Sequence, residues 1–174
     1  MKIAGKILDI VTGEVVLPRG EGTPLKLKLR ALPIGAEEKV LELFPAPRPP
    51  REYAEKKGNV LRDKEGKPIY EEKLDDPNYR AAQRRSARLT SVYFAREGLR
   101  ADETIVFETP EDLLAKNPVA YYEAIDQELR GSGLLPGDLA LIVEQVLELS
   151  NFDRRKVEAA RELFSSAGAG EAGT

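Results

Sequence analysis

Apolar and polar positions alternate through residues 2–31: Ile3, Gly5, Ile7 and Asp9, then Val15 and Leu17, then Leu25, Leu27 and Leu29 set against Lys26, Lys28 and Arg30. A period of two sends successive side chains to opposite faces, so these runs read as strands with one apolar face and one lysine-rich, exposed face. Thr12-Gly13 and Arg19-Gly20-Glu21-Gly22-Thr23 supply turn residues between them, which predicts a three-stranded antiparallel meander. Beyond Pro33, the spacing of Val40, Leu41, Leu43 and Phe44 predicts one short amphipathic helix over 36–44 against that sheet, closed by Pro45.

Residues 45–50 contain Pro45, Pro47, Pro49 and Pro50, an arrangement that fixes φ and removes donors, so the segment reads as a stiff polyproline II connector. Residues 59–61 and 68–70 then flank Asp63-Lys64-Glu65-Gly66-Lys67, a polar hairpin or ordered loop. Further on, the period lengthens to three and four. Asp75-Asp76-Pro77 opens a helix that runs to about Glu97 and is stopped by Gly98. Its buried stripe is Tyr79, Ala82, Ser86, Leu89 and Tyr93, with Arg80, Arg84 and Arg88 on another face.

A strand is predicted over 103–108, then helix starts at Thr109-Pro110-Glu111-Asp112 and Asn117-Pro118. The helix after Asn117 carries Val119, Tyr122, Ile125 and Leu129 and ends at Gly131-Ser132-Gly133. The most hydrophobic helix begins near Pro136-Gly137-Asp138 and carries Leu139, Ile142, Val143, Val146, Leu147 and Leu149, which marks it as central to the core. Ser150-Asn151 caps a last helix with Phe152, Val157, Ala160, Leu163 and Phe164, and residues 165–174 form a flexible tail. The expected fold class is α+β, an N-terminal antiparallel β-meander followed by a mostly α-helical C-terminal part. The expected divisions are 1–44, a connector at 45–75, a helical part at 76–166 and the tail at 167–174.

Composition narrows the chemistry. The 174 residues include no Cys and no His, which excludes disulfides, thiolate catalysis and sulfur-ligated zinc and removes the usual general base at neutral pH. With 27 basic and 30 acidic residues the net charge is only -3, too weak a field to demand nucleic acid or an anionic membrane. No apolar run approaches the ~20 residues of a membrane span, and residues 1–13 lack a signal-peptide core. The expectation is a cytoplasmic, non-enzymatic protein without cofactor or metal that works by holding other proteins.

The motifs that carry chemistry elsewhere have plainer readings here. Gly20 and Gly22 lack the third glycine and following helix of a phosphate cradle and read as a turn. The row Arg80, Arg84 and Arg88, with Arg85 beside it, has the spacing to lie on phosphates, but no aromatic platform accompanies it and a solvated face outweighs that reading. Glu71, Glu72, Asp75 and Asp76, and also Glu108, Glu111 and Asp112, sit at helix starts, where the macrodipole favours negative charge over a Mg²⁺ site. Pro47-Arg48-Pro49-Pro50 reads as a spacer rather than a ligand for an aromatic groove.

Several segments together carry a family likeness: Leu17-Pro18-Arg19-Gly20-Glu21-Gly22, Ala31-Leu32-Pro33, Leu43-Phe44-Pro45-Ala46-Pro47-Arg48-Pro49-Pro50 and Asp76-Pro77-Asn78-Tyr79. In the second half it continues through Glu97-Gly98-Leu99, Thr104-Ile105-Val106-Phe107-Glu108-Thr109, Glu128-Leu129-Arg130-Gly131-Ser132-Gly133-Leu134 and Leu147-Glu148-Leu149-Ser150-Asn151. In their order, over residues 1–166, the chain resembles the tail assembly chaperones of long-tailed, siphovirus-like bacteriophages and prophages. The resemblance implies a protein that coats the hydrophobic helices of the tape measure protein, helps recruit tail tube subunits and leaves before the tail is complete. It implies no catalytic site, and a Gly/Ala-rich end such as 168–174 would tolerate a frameshifted extension.

Such a role needs apolar surface left accessible for amphipathic helices, and Leu139, Ile142, Val143, Val146, Phe152, Val157 and Phe164 are the candidate partner-binding residues. Ordinary core packing is the competing expectation for each. Two other classes stay open: a structural virion component such as a tail completion or head-tail joining protein, and a nucleic-acid binder built on Arg80, Arg84 and Arg88. Self-association into a homo-oligomer also stays open.

Overall fold

The structure, a computed structural model, describes residues 2–3, 6–7, 10–20, 22–56 and 58–150. The last helix expected, with Phe152, Val157 and Phe164, and the tail lie outside the described residues. The fold is α+β, with short antiparallel strands near the start and helices after them. In chain order the elements are β1 (Lys2–Ile3), β2 (Lys6–Ile7), β3 (Thr12–Leu17), β4 (Leu25–Arg30), α1 (Ala36–Leu43), β5 (Arg51–Tyr53), β6 (Glu55–Lys56), β7 (Asn59–Val60), β8 (Tyr70–Glu72), α2 (Pro77–Leu99), α3 (Glu111–Lys116), α4 (Pro118–Gly131) and α5 (Pro136–Leu149). Among the described residues no helix is long and apolar enough to cross a membrane.

Two compact units partition the chain. The first joins Met1–Phe44 to Leu89–Thr174, and the second is Pro45–Arg88. The second unit takes in both the segment expected as a proline-rich connector and polar hairpin or loop over 45–75 and the first turns of α2.

In the first unit β3 and β4 pair antiparallel with Val15 opposite Leu27 and Leu17 opposite Leu25. Val15, Leu17, Leu27 and Leu29 face inward and are buried, while Glu14, Val16, Lys26 and Lys28 face solvent, as period two requires. Among the described residues β1 pairs with β2 and β3 with β4, two separate antiparallel ladders in place of the expected three-stranded meander. On the outer edge of β4 the N–H of Lys28 is already taken by the Asp102 carboxylate, at 2.8 Å.

Helix α5 packs against β3 and β4 and buries Ile142, Val143, Val146 and Leu147. Leu149 at its end meets Gly13, where an added Cβ would lie 2.9 Å from Leu149 Cδ2. The Ser150 hydroxyl ties the same end back, donating to the Val146 carbonyl at 2.5 Å and accepting the Leu32 N–H at 2.8 Å. Helix α1 turns Phe44 edge-on to Tyr122, centroids 5.6 Å apart, and leaves Leu41 exposed, so only part of its expected apolar face is used.

The start of α2 follows the sequence. Asp76 Oδ1 accepts the Tyr79 N–H at 2.8 Å, filling one orphan donor of the first turn. The end does not. Gly98 lies inside the helix, which continues to Leu99, because a Cβ there would overlap the Val146 methyl Cγ2. The glycine serves close packing of α2 on α5 rather than a stop. Leu89, Val92, Tyr93, Ala95, Arg96, Glu97 and Leu99 are buried, whereas Tyr79 and Ser86 are half-buried and Ala82 is exposed, so the expected stripe is a core face only from Leu89 onward.

The second unit folds as nested hairpins, resolving the choice between hairpin and loop over 59–70. β5 pairs with β8, β6 pairs with β7, and Arg62 bridges to Pro68. Tyr53 and Tyr70 stack across the ladder at 5.0 Å, and Arg51–Glu72 and Lys73–Glu52 flank them, each at 3.1 Å. At the tip, Asp63 Oδ1 accepts the N–H groups of Glu65 and Lys67, and Gly66 takes φ 82, which glycine adopts without steric cost.

Candidate functional site

Residues 103–108 have a strand's sequence but no strand's partner. Ile105 and Phe107 point inward and are half-buried, while Val106 and Glu108 are exposed, which is the alternation expected. The segment nevertheless forms no ladder, and carboxylates hold its two ends instead. At one end Asp102 accepts the Thr104 N–H and hydroxyl, at 3.0 and 2.5 Å, besides the Lys28 N–H. At the other, Glu128 of α4 accepts the N–H groups of Glu108 and Thr109, at 2.8 and 2.6 Å, and the Thr109 hydroxyl.

Held apart from β4, the segment forms one wall of a groove of about 660 Å³ in the first unit. The other walls are apolar: Leu25 and Leu27 of β4, Leu99 at the end of α2, and Leu129 and Leu134 around the end of α4. Leu25 occupies an inward position at the rim of the hairpin and is 40% exposed, and Val106 is 82% exposed. Gly131, Ser132 and Gly133 also line it; Gly133 adopts φ 81 as the chain leaves α4. Chemically the groove offers mostly apolar contact, open rims and three charged side chains, Arg19, Glu108 and Glu128.

Arg19 also lines the groove. In the turn between β3 and β4 its carbonyl accepts the Gly22 N–H at 2.7 Å, and Gly20 takes φ 45, so the glycine pair is a turn as expected. The guanidinium makes a two-pronged contact with Asp138 at 3.0 and 2.9 Å, and Asp138 also accepts the Leu135 N–H at the start of α5. Burial alone would raise the Asp138 pKa, but the hydrogen bonds from Arg19 and Leu135 and the Arg19 charge hold it below the ordinary carboxylate value. Asp102 is held low in the same direction, first by the Thr104 hydroxyl and then by the Lys28 N–H.

Both groups are depressed in the folded state, so their contribution to stability is complete above the unfolded-state carboxylate pKa and is lost as the pH falls through the folded values. Urea midpoints should therefore begin to drop below about pH 4 and keep dropping toward about pH 2. Arg19→Ala should remove part of that acid dependence. A midpoint that stays level over this range would contradict it.

The first unit also holds a buried ionic cluster that the sequence did not disclose. Arg96, its side chain 3% exposed, pairs with Glu97 at 2.7 Å and with Glu111 of α3, and donates to the Tyr121 hydroxyl at 3.1 Å. Glu97 also accepts from Arg30 of β4 at 2.8 Å. Burial would lower the Arg96 pKa, yet Glu97, Tyr121 and Glu111 together push it up, and burial pushes the neighbouring Tyr122 hydroxyl well above its usual range. The acidic start of α3 thus serves this cluster through Glu111, while Asp112 pairs with Lys116 at 2.6 Å. Among the described residues no group of three or more carboxylates is placed to share a metal ion.

The partner-binding residues expected on α5 require correction. Ile142 and Val146 are fully buried and Val143 is 8% exposed, so all three belong to the core beneath β3 and β4; Leu139 is half-buried against it. The reason is the first unit's architecture: a two-stranded sheet has one apolar face, and α5 supplies its cover. Among the described residues of the first unit, exposed apolar side chains include Leu25 at the rim of β4 and Val106 in the groove wall, and also Ile34, Leu41, Leu135 and, on α5, Leu141. Arg80, Arg84, Arg85 and Arg88 are exposed in the second unit, and Arg80 donates to the Leu74 carbonyl at 3.4 Å. The aromatic pair Tyr53 and Tyr70 belongs to that unit as well. A signal for the groove was present in the sequence, in the strand-like run 103–108, but no local pattern says whether a strand finds a partner. No family model, no curated protein and no solved structure matches the chain.

Proposed function

We propose that this chain is a tail assembly chaperone of a long-tailed bacteriophage or prophage, one that binds the tape measure protein and helps recruit tail tube subunits. The motif order over residues 1–166 suggests the family. The observation that carries the reading is the groove between β4, residues 104–108 and the end of α4, an open site lined mostly by apolar residues, with Arg19, Glu108 and Glu128 as its charged members. A site of this kind suits reversible holding of an aggregation-prone client, since it offers contact area without a reacting group.

Co-expression with a siphophage tape measure protein tests it. The client should stay in the supernatant and co-purify with the chain, and Leu25→Asp, at a rim position, should abolish capture without altering the circular dichroism spectrum. A tape measure protein that aggregates equally with and without the chain would sink the proposal. Mass spectrometry of purified virions separates a chaperone, which is absent from finished particles, from a structural tail component, which remains.

A further inference from the structure

The outer edge of β4 and the extended residues 104–108 border the groove. Ala31 donates to the Val11 carbonyl at 2.8 Å, continuing a register in which odd-numbered residues of β4 exchange main-chain bonds with β3. Even-numbered residues therefore turn their N–H and C=O groups to the outer edge, where the Lys28 N–H meets Asp102. Lys26, two residues nearer the groove, has no main-chain partner on that edge among the described residues, and neither do the N–H groups of Val106 and Phe107 on the facing segment. Unpaired strand edges are templates for another chain.

We propose that the groove takes an extended segment of the partner protein, which adds as a strand along the outer edge of β4 between Lys26 and residues 105–107. This rests on the reading of the groove as a protein-binding site. A bound helix satisfies its own main chain internally and would cover Lys26 and residues 105–107 without pairing them; a strand pairs with both flanks while its side chains meet Leu25 and Val106, the exposed apolar residues of the lining.

Charge specifies the occupant further. On the solvent side the new strand would lie between exposed Lys26 and Lys28 on one flank and exposed Glu103 and Glu108 on the other. The fitting partner segment alternates apolar residues with charged ones, acidic where it passes the lysines and basic where it reaches Glu108.

Short synthetic peptides decide the matter, with calorimetry and amide hydrogen exchange as readouts on the full chain. The probes are a peptide alternating leucine with glutamate and lysine, the same peptide N-methylated on alternate residues, and a peptide of equal composition patterned at helical spacing. The first should bind and slow exchange at Lys26 and at one of Val106 and Phe107, whose N–H groups point to opposite edges of the extended segment, and methylation should weaken it by about tenfold or more, because it removes the donors. Lys26→Pro should weaken it similarly with an unchanged dichroism spectrum, since that N–H does not serve the β3 ladder. Equal binding of the methylated or helical peptide, or no slowing at Lys26, would overturn the inference. A Lys26→Pro chain that loses the peptide but still captures the tape measure protein would overturn it while leaving the proposed function standing. Peptide binding without tape measure capture would do the reverse.

Discussion

Replacing Gly98 with alanine should destabilise the protein by about 3 kcal/mol, although alanine is the better helix former by about 1 kcal/mol. The added Cβ would overlap Val146 Cγ2, and Val146 is itself fully buried on α5, so neither helix can yield without disturbing the core. Urea denaturation of the purified variant measures the loss. The second half of the experiment is a rescue. Val146→Ala alone should cost about 1–3 kcal/mol through the cavity it leaves. In the Gly98→Ala background it should restore stability, giving strong favourable coupling in the double-mutant cycle. Additive losses would show that the two positions do not meet.

The other large effect is expected at Glu97. Its side chain is 8% exposed and joins Arg30 of β4 to Arg96 of α2, with Arg100 at 3.4 Å. Glu97→Ala would leave the buried Arg96 with the exposed Glu111 as its one carboxylate partner, beside the Tyr121 hydroxyl, and removing one partner from a buried pair typically costs about 3–5 kcal/mol. Glu97→Gln should cost less, because the amide keeps an acceptor for Arg30. The contrast with the exposed pair Lys116–Asp112 is the internal control: Asp112→Ala should change the urea midpoint by less than about 1 kcal/mol in equivalent stability. Similar losses at Glu97 and Asp112 would mean that the buried cluster contributes no more than a surface contact.

These residues also show what was legible beforehand. The helix starts at Asp76, Asn117 and Pro136 were readable because capping is local: the Asn117 side chain accepts the Ala120 N–H three residues on, and sequence displays that spacing directly. The two faces of β3 and β4 were readable for the same reason. What failed depended on partners distant in the chain. Residues 103–108 have a strand's alternation, but Asp102 and Glu128 take their end groups, and Glu128 lies 20 residues past Glu108. Gly98 read as a stop until Val146 was placed beside it. Arg96 and Glu97 look like any adjacent surface ions, and only the packing of α2, α3 and β4 buries them. For the candidate site the sequence supplied the apolar helix α5 but not its neighbour, so it could not tell a groove wall from a core.

The second unit is an interruption in the chain of the first, and that has a consequence at the ribosome. Leu17, Leu27 and Leu29 emerge early, yet their cover, α5, is encoded more than a hundred residues later; Arg19 and Asp138 are separated by 119 positions. At about 5–20 residues per second the hairpin waits roughly 6–24 s for its lid. During synthesis its greasy side is open to whatever the cell offers, and only when the last helix of the described fold arrives can the beginning of the polypeptide come to rest.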